Sequence, residues 1–283
     1  MYHTIFHKGT VFPKTKKIKK IYYLCLANNN GFFSMLFSII TVTYNASQWI
    51  ERTVQSVISQ SYPAIEQIII DGNSTDATVA IIEKYRSSIA HFVSEPDRSL
   101  YDAMNKGLKL ASGDYVWFIN AGDTLYSETT VEEIVHAIGN ENLPDIIYGE
   151  TEIADAEGNS LGMRRLKTPE KLSWKSFRKG MLVCHQSFLV KRTIAEPYDL
   201  QYRFTADYDW CIRCMKKTGV LFNTHLILSR FLEAGLSAVN RKEALKERYR
   251  IMCENYGKLP TQIRHLWFAV RFYASKWTKK TVS

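Results

Sequence analysis

Hydrophobic and polar positions alternate along this chain in two distinct rhythms. Short runs in which both odd and even positions are apolar mark strands covered on both faces, while apolar residues three and four apart mark helices lying against them. Leu36–Thr43 is rich in β-branched and aromatic residues and predicts a first strand. Ser47 then stands as an N-cap before Ile50, Val54, Val57 and Ile58, which predict a helix to about Ser59. Ile68-Ile69-Ile70 predicts a second strand, and Thr75 or Asp76 caps a helix to about Arg86. His91-Phe92-Val93 predicts a third strand, and Leu100, Met104, Leu108 and Ala111 line one face of the helix that follows it. Tyr115–Ile119 predicts a fourth strand, apolar on both faces. Strand and helix in strict alternation imply a parallel sheet flanked by helices, an α/β fold.

Beyond residue 125 the rhythm loosens. The pattern predicts a helix over 128–138, a strand over 145–148, a hairpin over 150–161 turning at Glu157-Gly158-Asn159, and a strand over 184–190 that contains His185-Gln186. A helix over 208–217 and a partly alternating strand over 220–228 follow. Over 261–280, Ile263, Leu266, Trp267, Val270, Tyr273 and Trp277 form one apolar stripe beside Arg264, Arg271, Lys276, Lys279 and Lys280, with no acidic residue. Such a helix suits a membrane interface or a protein surface equally, because amphipathicity does not tell lipid from protein.

Charge changes the picture at one end. Six lysines and no acid fall in residues 1–34, leaving +3 of the +9 net charge for the remainder. We expect residues 1–34 to be a basic extension outside the core, with Met35 as the natural start. Because basicity is confined to that tail and no recognition motif accompanies it, nucleic-acid binding is not expected. No run of eighteen apolar residues suggests a transmembrane helix. The five cysteines make no secreted framework, which favours a reducing compartment, and Cys211-x-x-Cys214 lacks a second pair at zinc spacing.

Four polar turns close the four leading strands: Tyr44-Asn45, Asp71–Asp76, Glu95–Arg98 and Asn120–Asp123. In a parallel sheet they share the carboxyl edge, where ligands bind. Neither G-x-G-x-x-G nor G-x-x-x-x-G-K-[ST] occurs, so a nucleotide diphosphate here would need a cation and basic side chains instead.

Together, Ile40–Asn45, Asp71–Asp76, Tyr101-Asp102-Ala103-Met104-Asn105-Lys106-Gly107 and Asn120-Ala121-Gly122-Asp123 resemble family 2 glycosyltransferases of the GT-A fold. The similarity is to bacterial surface-polysaccharide enzymes of the colanic-acid type. The motifs span roughly 36–125 and thin out towards 237. The resemblance implies a Rossmann-like, mostly parallel central sheet with flanking helices and a C-terminal helical extension. It divides the chain into a GT-A domain over 35–240, with a nucleotide-sugar half (35–125) and an acceptor half (126–240), and a C-terminal amphipathic helical region over 241–283.

By the same resemblance, Thr43, Tyr44, Asp71 and Asp76 surround base and ribose, and Asn45 binds the donor. Arg98, Asp102, Asn105, Lys106, Asn120 and His185 serve the donor, and Asp123 matches the last carboxylate of the metal motif and holds Mn²⁺ or Mg²⁺. Asn120 and Gly122 stand where many relatives carry acids. Ala206-Asp207-Tyr208-Asp209-Trp210 resembles the motif of the catalytic base, with Asp207 in the matching place, Asp209 as rival and Ala206 replacing the usual Glu. Glu233–Ser237 resembles a loop that closes over the donor. The implied reaction is inverting transfer from a nucleotide sugar, expected to be a UDP-sugar, to a glycan or lipid-linked acceptor at the cytoplasmic face of the membrane. The alternative is a non-catalytic glycan or nucleotide-sugar binding module on the same fold.

Overall fold

The computed structural model describes residues 35–139, 143–233 and 240–267. The leading units follow the apolar runs: β1 (Phe37–Thr43), α1 (Ile50–Ile58), β2 (Ile65–Asp71), α2 (Thr78–Glu83), β3 (His91–Ser94), α3 (Leu100–Leu110) and β4 (Tyr115–Phe118). These four strands pair in parallel, in the order β3-β2-β1-β4. Every residue of β1 and β4 is buried, which is why neither strand shows polar alternation. α3 packs on β1 and β2, and Gly107 makes room: a Cβ there would sit 2.4 Å from Ile40 Cγ2.

The remaining elements are β5 (Thr124–Leu125), α4 (Thr130–Ile138), β6 (Ile146–Ala154), β7 (Ser160–Met163), β8 (Phe188–Lys191), α5 (Ala206–Lys217), β9 (Leu221–Leu232) and α6 (Arg241–Tyr256). They extend the same sheet through β8, β6, β9 and β5, with β7 paired to β6 as the predicted hairpin. β8 runs antiparallel to both β4 and β6, and β9 runs parallel to β6. β9 is longer than its apolar signal, because pairing with β6 continues to Leu232.

Two expectations are corrected. His185 and Gln186 lie not on a strand but in a 3-10 turn (His185–Ser187) that delivers the chain into β8. The two predicted caps also shift, with α1 starting at Ile50 and α2 at Thr78. Ser47 and Asp76 bond each other's turns instead, the Ser47 N–H donating to Asp76 Oδ2 at 3.1 Å.

At the amino edge of the sheet the carboxylate of Glu66 is buried. It accepts from the Ser38 hydroxyl, from Ser112 N–H and Oγ–H (2.6 and 2.8 Å) and from Gly113 N–H (2.9 Å). These bonds hold its carboxyl below the usual range against the opposing effect of burial. The staple lies at the opposite end of the strands from the polar turns. Residues 1–34 and 268–283 lie outside the described residues, as does the Ala234–Ser237 part of the expected donor loop. Among the described residues no helix is long and apolar enough to cross a membrane.

Candidate active site

The parallel pairing brings the four polar turns to one edge. Gly72 N–H donates to Thr43 O (2.9 Å), Glu95 N–H to Asp71 O (3.0 Å) and Ala121 N–H to Val42 O (3.1 Å), so the turns are bonded side by side. Asn45 adopts φ +47° and its Oδ1 accepts from Thr75 N–H at 2.9 Å, while its own N–H donates to Ser74 Oγ at 2.8 Å. Asp71, fully buried, accepts from Ser74 N–H (2.9 Å) and Ser94 Oγ–H (2.7 Å). Asp76 accepts from Ser47 and Thr78, which holds its carboxyl far below the ordinary range. Tyr44 is exposed, its ring against Gly72, where an added Cβ would come within 3.3 Å.

Both basic side chains expected at the phosphates are paired with carboxylates. Arg98 meets Asp102 at 3.0 Å, one helical turn away, and Lys106 meets Asp97 (2.6 Å) and Glu95 (2.8 Å). Asn105 is turned to structural use. Its amide exchanges two bonds with the backbone of Tyr198, at 2.7 and 3.0 Å, and ties α3 to the segment before α5.

Asp123 is buried. Its Oδ1 accepts from Leu232 N–H (2.9 Å) and its Oδ2 from the Gln186 amide (2.8 Å). Burial pushes its carboxyl up to about 7, opposed by those bonds and by the charge of Arg52. Gln186, adjacent to the predicted His185, is therefore the member of the pair that reaches Asp123. Gly122 explains the missing acid of the motif: φ is +104°, and a Cβ would sit 2.6 Å from Leu232 Cδ2.

Does this place fit a divalent cation? Among the described residues no group of three or more His, Cys, Asp or Glu forms a protein-only metal centre. The carboxylate nevertheless has acceptor capacity left beyond two neutral donors. Asn120 Oδ1 and Thr43 Oγ1, on neighbouring strand ends, are buried with no hydrogen-bond partner among the described residues. Hard oxygens in this number suit Mg²⁺ or Mn²⁺ only where phosphate and water supply the remaining ligands, so the residues fit a cation that arrives with a diphosphate.

Facing this edge is α5. Asp207, in its first turn, accepts through Oδ1 from Tyr208 N–H (2.9 Å) and from the Tyr101 hydroxyl (3.2 Å). Asp209 instead forms a 2.6 Å ion pair with Arg213, whose other donors reach Glu196 and Pro197 O at 2.9 Å. His185 Nε2 meets the Tyr198 hydroxyl at 2.6 Å, and its ring stacks on Phe118 (5.3 Å) and meets Trp210 edge-on (5.6 Å). Burial lowers its pKa to about 4, so it is neutral at pH 7. Cys211 and Cys214 are free, buried thiols of the same helix.

A cleft of about 620 Å³ lies elsewhere, between α1, β5 and the tip of the β6–β7 hairpin, lined in part by Arg52, Ser56, Tyr126 and Arg230. It contains none of the predicted site residues. The sequence singles out the His185-Gln186 pair but puts the donor role on His185, and it carries Tyr101 inside a family motif without a role of its own. Arg52 gives no signal at all.

A family model described as glycosyl transferase family 2 matches residues 38–198. The chain is 34% identical over 246 residues to an uncharacterised glycosyltransferase of Mycobacterium tuberculosis, covering 84% of this chain and 92% of that protein. It is 29% identical over 223 residues to a PGL/p-HBAD biosynthesis glycosyltransferase of Mycobacterium bovis, covering 75% and 83%. Among solved structures, S. aureus TarS residues 1–349 in complex with UDP aligns with a TM-score of 0.61 at 16% identity, over 80% of this chain and 68% of that one. The complex of the same protein with UDP-GlcNAc aligns equally well, at 17% identity over 80% and 69%. The fold shared with those structures is GT-A.

Proposed function

The chain belongs to glycosyl transferase family 2, and from that premise we propose that it moves a sugar, with inversion, from a UDP-sugar to a hydroxyl of a glycan or lipid-linked acceptor in bacterial surface-polysaccharide assembly. The observation that carries this reading is the pairing of two carboxylate environments across one edge. Asp123 lies buried at the strand ends that carry the unpartnered oxygens of Thr43 and Asn120, and Asp207, at the start of α5, reaches the Tyr101 hydroxyl of the donor-motif helix with no bond to its Oδ2 among the described residues. The UDP and UDP-GlcNAc bound in the TarS structures support a uridine nucleotide as donor. The M. bovis relative's part in PGL/p-HBAD biosynthesis supports a cell-surface glycoconjugate as product.

The division of labour follows. Tyr44, Asn45, Asp71 and Asp76 shape the nucleoside end, and Arg98, Asp102, Asn105 and Lys106 hold the α3 wall beside it. Asp123 and Asn120 would hold Mg²⁺ or Mn²⁺, which when bound would offset charge on the departing diphosphate. Gln186 and the Leu232 N–H orient Asp123, while neutral His185 supports the turn from below. The acceptor hydroxyl attacks the anomeric carbon, its proton passes to Asp207, and the bond from that carbon to the diphosphate oxygen breaks on the opposite face. Asp207 rather than Asp209 takes this part because Arg213 already occupies Asp209. Residues 35–125 serve as the donor half and 126–240 as the acceptor half. Contact of the 261–280 stretch with the cytoplasmic face of the membrane is supported by its described part, where Ile263, Leu266 and Trp267 are exposed.

A thermal-shift panel of UDP-, GDP- and dTDP-sugars with and without Mn²⁺ tests the donor. A ligand at a hundred times its Kd adds about 2.7 kcal/mol of apparent stability. Asp123→Ala should abolish the Mn²⁺-dependent part, and Asp207→Asn should keep donor stabilisation but lose transfer. No stabilisation by any sugar nucleotide, or full transfer by Asp207→Asn, would overturn the proposal. Turnover by the wild type would also exclude a non-catalytic binding module.

A further inference from the structure

We propose that Tyr101 is a positioning residue for the proton-accepting carboxylate: its hydroxyl fixes Asp207 Oδ1 and thereby leaves Oδ2 turned to the acceptor. This deepens, and rests on, the reading of Asp207 as the base. Tyr101 lies on α3, inside the donor half, and is nearly fully buried. Its ring stacks on Tyr198 at 5.5 Å, and Tyr198 in turn stacks on Trp210 at 5.0 Å. Trp210 belongs to α5, three residues beyond Asp207, and its indole N–H donates to Glu196 O at 2.6 Å. Asn105, one turn along α3 from Tyr101, clamps the Tyr198 backbone. The helix carrying the base and the helix carrying the donor motif are thus locked together through one aromatic stack.

Within that stack the ring of Tyr101 does the packing and the hydroxyl does something separate. The hydroxyl donates to Asp207 Oδ1, and its oxygen also faces the Asp207 backbone N–H. A phenylalanine would preserve the stack and lose only these contacts with Asp207. Burial, reinforced by the nearby charge of Asp207, keeps the phenol protonated and hence a donor. At 3.2 Å the bond is longer than the usual hydroxyl–carboxylate contact, so its contribution is directional more than energetic. Together with the 2.9 Å bond from Tyr208 N–H it saturates one carboxylate oxygen from two directions, which sets the carboxylate plane. His185, beyond Tyr198, and Cys211 on α5 are uncharged at neutral pH, while the carboxylate of Glu247 on α6 adds to the negative field at the Tyr101 hydroxyl.

The experiment uses the full chain and follows UDP release from the UDP-sugar that stabilises it most, for Tyr101→Phe, Asp207→Asn and the double variant. Tyr101→Phe should lower kcat about tenfold to a hundredfold, part of what a positioned general base supplies. KM for the donor and the thermal shift produced by UDP should stay at wild-type values, which a packing role would not allow. In the Asp207→Asn background the second substitution should add no further loss, as expected of two groups acting as a unit. Unchanged kcat in Tyr101→Phe, with Asp207→Asn inactive, would overturn the role of Tyr101 alone. A fall in kcat matched by loss of UDP binding would overturn it in favour of packing. Wild-type turnover in Asp207→Asn would instead overturn the base assignment and this role with it.

Discussion

Acid should unfold this protein partly through one histidine, and replacing it should flatten the response. His185 is almost fully buried among Phe118, Tyr198 and Trp210, and its pKa falls from 6.5 to about 4. Burial disfavours the imidazolium, and the charge of Asp207 opposes that only in part. In the unfolded chain the ring takes a proton below about 6.5. Between the two values the unfolded state therefore binds more protons, so stability falls as pH falls through this window. Fully developed below about pH 4, the gap is worth roughly 3.4 kcal/mol; between pH 7.5 and pH 5.0 it amounts to about 2 kcal/mol. That is a large share of a typical domain's 5–15 kcal/mol. His185→Gln keeps a polar partner for the Tyr198 hydroxyl and removes the titration. Urea unfolding of both proteins at pH 7.5 and 5.0 measures the effect. The variant should start lower, having lost the stack on Phe118, and should lose about 2 kcal/mol less than the wild type on acidification. Other titrating groups change alike in both proteins and cancel. Parallel losses in the two proteins would refute the claim that the buried ring is held neutral.

Three further substitutions separate scaffold from site. Glu66→Ala takes the carboxylate from Ser112 N–H and from the buried Ser38 hydroxyl, and leaves Gly113 N–H with Ser38 Oγ alone; it should cost about 1–3 kcal/mol in urea unfolding, while the thermal shift produced by a sugar nucleotide survives at the far edge of the sheet. Gly122→Ala forces a side chain onto φ +104° and against Leu232; it should cost about 1–3 kcal/mol and weaken Mn²⁺-dependent donor stabilisation, because Leu232 N–H is what holds Asp123. Asp209→Asn leaves Arg213 with Glu196 as its remaining carboxylate; it should lower stability by about 1–3 kcal/mol and slow turnover less than Asp207→Asn does, as kcat measurements would show.

The alternation of doubly apolar runs with amphipathic helices was enough to determine the first half of the fold. Ile68-Ile69-Ile70 and Tyr115–Ile119 admit no exposed face, so they must be inner strands, and parallel pairing then places Asp71 and Asp123 on one edge. Local chemistry carries that information, because burial on both faces leaves its mark on consecutive residues. What only tertiary structure decided depends on partners far apart in the chain. The turn at His185 is set by packing on Phe118 and Trp210, which no local pattern contains. The use of each carboxylate was likewise hidden. Asp207 and Asp209 read alike in sequence, and they part company only because Arg213 folds back on one and Tyr101, 106 residues away, reaches the other. Asp123 keeps its place in the motif, yet Gln186 and Leu232, 63 and 109 residues downstream, hold its two oxygens. A sequence fixes which groups can ionise or donate; which of them are left with an unused lone pair is decided by the contacts that close last.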